Sequence, residues 1–376
     1  MNILGVHLTI LMSEAGPPRP VPIEFLLALK DVQVTHNDQG PSGFQMTFQI
    51  GRSGLWDLVD YALPRHPLLK PFNRVILLVR FAVAPEVLMD GIITNIQMNP
   101  SDEPSASTLT VTGEDVSVMM DLRQKSQSFP ALSDYLIVTT IIGRYTAKYG
   151  LIPLIRLVDP KLLSPPSPIK KIPQQPAKLT DRAYLQRLAD FYGYVFYVKP
   201  GPAPLLNTVY WGPPEFLAIT QPALSVNMGP ASNVTSINFN CDALKPEQVR
   251  YTDDKNTIQS VKEPGSSRQI SLSRNRLEAR KTTHLTGPRG DNSTAAQGQA
   301  DRSYDSVVTV NGELDVLRYE HLLQPRGLVG LRGAGDTFDG MYYVKNVSHQ
   351  ISKGHYTQKF TLTREGTGTL TPLVHP

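Results

Sequence analysis

Cysteine is almost absent: Cys241 stands alone among 376 residues. That excludes an intrachain disulfide and any zinc site built from several thiolates, and it points to a reducing folding compartment. No apolar run approaches the roughly eighteen residues that a membrane-crossing helix needs. The opening MNILGVHLTILMSEAG is broken by His7 and lacks the positive start of a secretory signal, so it reads as a first strand. Neither sign of charge prevails, with 37 Lys and Arg against 33 Asp and Glu. A margin that small gives no reason to expect a nucleic-acid protein, whose basic residues gather into a stripe or patch.

Catalytic signatures are equally scarce. There is no HExxH and no G-x-S-x-G elbow, and Cys241 has no identifiable base nearby in sequence. The glycine-rich Gly327 to Gly335 is followed by no GK[ST] and leads into a strand pattern, so turn glycines account for it better than a phosphate loop. Glycoside hydrolysis needs two carboxylates across the scissile bond. The acids Asp102, Glu103, Glu114, Asp115, Asp253 and Asp254 instead lie singly or in adjacent pairs, and neighbours on a strand point apart. His349 and His355 flank a turn, which suits cross-strand packing better than ion binding. The expectation is a non-enzyme without metal or cofactor.

Proline and alternation are abundant. The 32 prolines are about one residue in twelve, against about one in twenty on average. They suit many short strands joined by stiff loops, among them a spacer from Pro160 to Pro176 that carries Lys170 and Lys171. Extended segments are expected from Ile23 to Val34, through Phe44, Met46, Phe48 and Ile50, over Arg74 to Val83 and Val87 to Met98, and at Ser107 to Thr112. In the closing hairpin, Ser352, Lys353 and Gly354 make the bend; Tyr356, Phe360 and Leu362 share one face, and the apolar parity of the preceding run changes near Lys345, which predicts a bulge there. Strands are also expected at Ser306 to Val310, Leu314 to Tyr319 and Gly327 to Leu331, after a polar, partly mobile Ser260 to Arg302.

Two helices interrupt this β pattern. Ser133 caps one whose stripe of Val138, Ile141, Ile142, Tyr145 and Tyr149 ends at Gly150, and Thr180 caps another that ends at Tyr192 and Gly193 before a strand from Tyr194.

Three blocks carry a resemblance: LMDGIITNIQMNP to STLTVTGED (Leu88 to Asp115), TDRAYLQRLADFYGYVFYVK (Thr180 to Lys199), and Gly327 to Arg364. With them the chain resembles the baseplate hub proteins of phage tails and contractile injection systems, the late control protein D and VgrG-like group. The structural motif residues so marked are Gly91, Gly113, Tyr192, Gly193, Tyr194, Gly340, Tyr342, Val344, Tyr356 and Phe360. The resemblance implies a mainly β fold with a smaller α/β part: two related antiparallel β-barrel hub domains, the first at 1–123 plus 206–240 and interrupted by an α/β domain at 124–205, the second at 241–376 with a polar insertion around 260–302. It also implies a homotrimer of pseudo-six-fold form that joins a tail-tube protein to a separate spike protein among other baseplate subunits, since only Glu365 to Pro376 follow the hairpin. The protein would be made in the cytoplasm and end in a virion tail or injection particle. The rival readings are a peptidoglycan hydrolase and a carbohydrate-binding β protein, the latter with Trp56 and Trp211 as an exposed platform.

Overall fold

The computed structural model describes residues 2–3, 6–14, 16–50, 63–81, 84–101, 103, 106–156, 174–216, 220–253, 255–265, 268, 270–285 and 292–370. Trp56, Asp102, Lys170, Lys171 and Asp254 lie outside them.

The dominant element is one large, almost wholly antiparallel sheet to which both ends of the chain contribute. Its N-terminal half has six main strands: Val6–Ser13, Leu29–Asn37, Gly43–Ile50, Arg74–Phe81, Ala84–Asn99 and Ser107–Asp115. Its C-terminal half has six more: Thr220–Ser225, Val234–Cys241, Val308–Asp315, Leu328–Arg332, Gly340–Ser352 and His355–Arg364. Numbered by chain order within each half, both sets run across the sheet as first, fourth, fifth, sixth, third, second. Alternation explains why these segments are strands: Val6–Ser13 and Ser107–Asp115 bury every second residue, and the buried sets of both halves merge into one apolar core.

The halves also share irregularities. In each fifth strand a bulge falls between paired residues, at Ile93/Asn95 in one and at Val344/Asn346 in the other. Each second strand has a bulge at the matching step, Leu29/Asp31 and Val234/Ser236. Ahead of each fourth strand stands a non-glycine residue with positive φ, Phe72 (71°) and Arg326 (67°). The amides of those residues donate to the carbonyls of Ile93 and Val344, the residues at which the two fifth strands begin to bulge. The pairs that differ are the first and fourth strands, antiparallel in one half and parallel in the other.

Between the halves sits an α/β unit. Leu151–Ile155 pairs parallel with Asn207–Gly212, which pairs antiparallel with Val195–Pro200. Helix Asp134–Tyr149 is capped by the Ser133 hydroxyl and ends at left-handed Gly150; helix Asp181–Tyr192 is capped by Thr180 and ends at left-handed Gly193. Ile137, Ile141, Leu185 and Trp211 lie in its core, and the Trp211 indole N–H donates to the Leu185 carbonyl at 3.1 Å. Trp211 is therefore no exposed platform.

Several expectations need correction. The antiparallel β architecture is present, but no closed barrel occurs among the described residues: one continuous sheet spans both halves, because Leu29–Asn37 bonds to Gly340–Ser352 of the other half. Local alternation is blind to which edge a strand will join. The extended reading of Ile23 to Val34 fails over Ile23–Ala28, a short helix opened by Pro22 that buries Phe25 and leaves Ile23 and Leu27 exposed. The strand expected from Leu314 stops at Asp315, whose carboxylate caps a helical turn at Val316–Tyr319. Within the polar Ser260 to Arg302, helix Asn292–Tyr304 is built on small residues, and Ala296 and Ala300 are fully buried.

Candidate functional site: the junction between the halves

The halves meet along seven residue pairs, from Asn346 opposite Asn37 to Ser352 opposite Asp31. Period-two alternation sends Val32, Val34 and His36 of one strand and Val347, His349 and Ile351 of the other to the core side, none of them more than 3 % exposed. The opposite face is polar: Thr35 and Ser348 share a hydrogen bond of 3.0 Å, and Asn346 donates to the Asn37 side-chain carbonyl. Like therefore meets like on both faces, which fixes the register, since a slip of one residue would put amides in the core.

Polar groups inside this seam are engaged apart from His36 Nδ1, which is buried without a hydrogen-bond partner. The rings of His36 and His349 meet edge to face at 5.7 Å, and His349 Nδ1 lies 2.8 Å from the Tyr356 hydroxyl. Gln358 closes a pair of bonds with the Leu323 backbone, donating to its carbonyl and accepting from its amide, both at 2.9 Å.

Arg326 ties three parts of the molecule together. Its guanidinium donates to the Asn37 carbonyl at 2.6 Å and the Ser42 hydroxyl at 3.0 Å in the N-terminal half, and to the Val198 carbonyl at 3.3 Å in the α/β unit. It also stacks on the Tyr197 ring, 3.9 Å from the centroid. Burial drives its pKa downward, which marks the cost of desolvating a cation that these acceptors offset. Asp115 is similarly enclosed, accepting from the amides of Ser42 at 2.7 Å and Ser117 at 2.9 Å. Its neighbour Glu114 faces away, to Arg182.

The motif residues fall into separate places. Gly91 and Gly113 are adjacent under the Phe44 ring; a Cβ on Gly113 would come 2.3 Å from the Ile92 carbonyl oxygen and 2.4 Å from the ring. Tyr192, Gly193 and Tyr194 belong to the α/β unit, where the Tyr192 hydroxyl donates to Asp134 at 2.6 Å and the Gly193 carbonyl accepts from Arg268 at 2.7 Å. Gly340 and Tyr342 border Arg364, whose guanidinium lies 4.3 Å from the Tyr342 ring centroid. Val344 opens the bulge expected near Lys345, and Phe360 covers Gly312. Of the ten, Tyr356 alone reaches the junction's polar cluster. His355 sits exposed beside the turn, away from His349. The sequence reading missed His36, Tyr197 and Arg326; the one signal for Arg326 was its place between Pro325 and Gly327, which marks a turn and nothing about burial.

Among the described residues no cluster of His, Cys, Asp and Glu has metal-site geometry. No helix among them is long and apolar enough to cross a membrane.

A pH dependence follows from the seam. Burial depresses the His349 imidazole to about 3, and burial with the nearby Arg326 holds His36 well below the ordinary 6.5. The folded-state values lie below the unfolded one, so the stability these neutral rings support is intact above about pH 6.5 and falls as pH drops from there toward 3. Asp38 works in the other direction: burial raises it from 3.8 to about 6, so its contribution is complete below 3.8 and is lost as pH rises through 6. His349→Gln leaves Asp38 and His36 in place and keeps an acceptor for Tyr356. The stability advantage of wild type over H349Q should therefore shrink by on the order of 1 kcal/mol per pH unit below about 6.5. Urea unfolding between about pH 7.5 and 5 measures it; an advantage that stayed constant with pH would refute the buried neutral ring.

No known family model matches the chain, and no curated protein matches it. Solved structures do. A tail protein from Neisseria meningitidis MC58 superposes with a TM-score of 0.64 at 12 % identity, over 95 % of this chain and 97 % of that one. The 43 kDa tail protein of prophage MuSo2 from Shewanella oneidensis gives 0.63 at 11 %, over 95 % and 98 %. The E. coli protein c3393, a type VI secretion component with structural similarity to the T4 tail proteins gp27 and gp5, gives 0.55 at 10 %, over 92 % and 77 %. At such identities the shared property is the fold, and it is the fold of phage tail and type VI secretion proteins.

Proposed function

We propose that the chain is a structural, noncatalytic baseplate hub of a phage tail or contractile injection machine, a homotrimer that seats a six-fold tail tube on one side and a separate three-fold spike on the other. The observation that carries this is the repeated sheet: one strand order, two matched bulges and one matched left-handed residue in each half. Two equivalent units per chain make six in a trimer, which is what joining three-fold to six-fold symmetry requires. The similarity to tail and type VI secretion proteins supports the same setting. We divide the chain accordingly into an N-terminal unit ending near Asp115, an α/β unit through Gly212, and a C-terminal unit from Thr220. The motif glycines act within this frame as points of close backbone approach, and other baseplate subunits would surround the ring.

Light scattering coupled to size exclusion should give a mass about three times 41.6 kDa for the chain alone, or that mass plus the bound spike once the spike subunit is added. A protein that stays monomeric with both tube and spike subunits present would overturn the reading.

A further inference from the structure

The internal repeat has an unequal feature. In the C-terminal half, the fifth strand meets its fourth strand only as far as Tyr343; beyond the bulge, Asn346 to Ser352 pairs instead with the second strand of the N-terminal half. In the N-terminal half, the fifth strand likewise leaves its fourth strand after Ile92. Its continuation, Thr94 to Asn99, has no strand on that side among the described residues. The second strand of the C-terminal half, Val234–Cys241, is an end of the sheet and, among the described residues, pairs with Val308–Asp315 alone. Among the described residues each chain thus carries one filled copy of a junction and the two separated halves of another.

On the hub reading, we infer that these vacant edges pair with each other between copies of the chain, antiparallel and in the register of the filled junction. The correspondences fix that register. Ladder partners and bulges equate Asn346 with Asn95 and Val347 with Ile96. They likewise equate Val32 with Ile237, through Met46 and Gly312, and hence His36 with Cys241. Transposed, Ile96 faces Cys241, Gln97 faces Asn240, Met98 faces Phe239 and Asn99 faces Asn238. Each pair matches in kind, apolar with apolar on the core side and amide with amide on the other, as in the filled junction.

Burial points the same way. The core-facing positions of the filled junction are closed to solvent, whereas Ile96, Met98, Ile237 and Phe239 are only partly covered and Cys241 is exposed. Those are the positions that a neighbour on this edge would cover. Bare edges of this length invite pairing, and a head-to-tail contact between different edges builds a ring when its rotation closes, not a two-fold dimer.

The native cysteine provides the test. Residues opposite each other in an antiparallel pair have Cα atoms about 4.5–5.5 Å apart, within disulfide range. Full-length Ile96→Cys, oxidised in its assembled state, should run on non-reducing gels as a ladder of one, two and three chains that stops at three. Cys241→Ser should abolish the ladder. Gln97→Cys, which points to the other face, should give at least tenfold less of it. Met98→Cys with Phe239→Cys in a Cys241→Ser background repeats the test two residues along, should I96C fold poorly. A trimer by mass in which neither pair cross-links overturns the edge pairing and leaves the hub reading standing. A monomer with tube and spike present removes both.

Discussion

Arg326→Met should lower the unfolding free energy by about 3 kcal/mol. Methionine replaces much of the volume of arginine but none of its donors. The Asn37 and Val198 carbonyls and the Ser42 hydroxyl would then lose a buried partner, and Tyr197 would lose its stacked cation. Desolvating the guanidinium costs energy in the wild type, and removing it returns part of that cost, which keeps the estimate below the sum of the broken bonds. Because two of the acceptors lie in the N-terminal half and the third in the α/β unit, the loss should be regional. Hydrogen exchange should quicken over Val195–Pro200 and the Asn37 end of Leu29–Asn37 while the Arg74–Phe81 and Ala84–Asn99 pair keeps its protection. A loss under about 1 kcal/mol, or a uniform rise in exchange, would mean that Arg326 fills space and clamps nothing.

The second large effect is expected where helices Asp181–Tyr192 and Asn292–Tyr304 touch through glycines. A Cβ on Gly193 would lie 2.6 Å from the Gly298 carbonyl oxygen, and a Cβ on Gly298 would lie 2.6 Å from both the Gly193 nitrogen and the Phe191 carbonyl oxygen. All of these neighbours are backbone, so no side chain can swing aside. Gly193 also has φ of 69°, where alanine pays about 1–2 kcal/mol more than glycine. Forcing the helices apart adds about 1–3 kcal/mol in either case. We therefore expect Gly193→Ala to cost about 2–5 kcal/mol and Gly298→Ala about 1–3, by chemical denaturation. Were G298A neutral, the approach of the two backbones would be looser than described and the Gly193 cost would be dihedral alone.

How much of this was legible in the sequence depended on how local the cause was. Ser133, Gly150, Thr180 and Gly193 act on their own helix ends through a hydroxyl or a left-handed φ, and each does what its type and place suggested. The bulge near Lys345 was visible because one extra residue flips the parity of every apolar side chain after it. Ile23 and Leu27 misled, since exposed apolar residues on a short helix copy the signature of a strand. Asn292–Tyr304 was hidden for the opposite reason: apart from Tyr304 its buried face is small or polar, Thr294, Ala296, Gly298, Ala300 and Asp301, and carries little hydropathy. The junction lay furthest out of reach. Val32 to His36 and Val347 to Ile351 show where strands run, but their pairing joins residues more than three hundred positions apart, and no periodicity encodes a partner at that distance.

Phe72 and Arg326 occupy one backbone slot in two copies, yet Phe72 is 60 % exposed while Arg326 is sealed within the molecule. Symmetry here is a property of the main chain, and the side chains have been free to specialise. On the hub reading, the equivalent stations of an assembled ring would alternate, a greasy knob at one and a locked, featureless surface at the next. A six-fold partner could treat all stations alike only by reading backbone; a three-fold partner could tell them apart by touch.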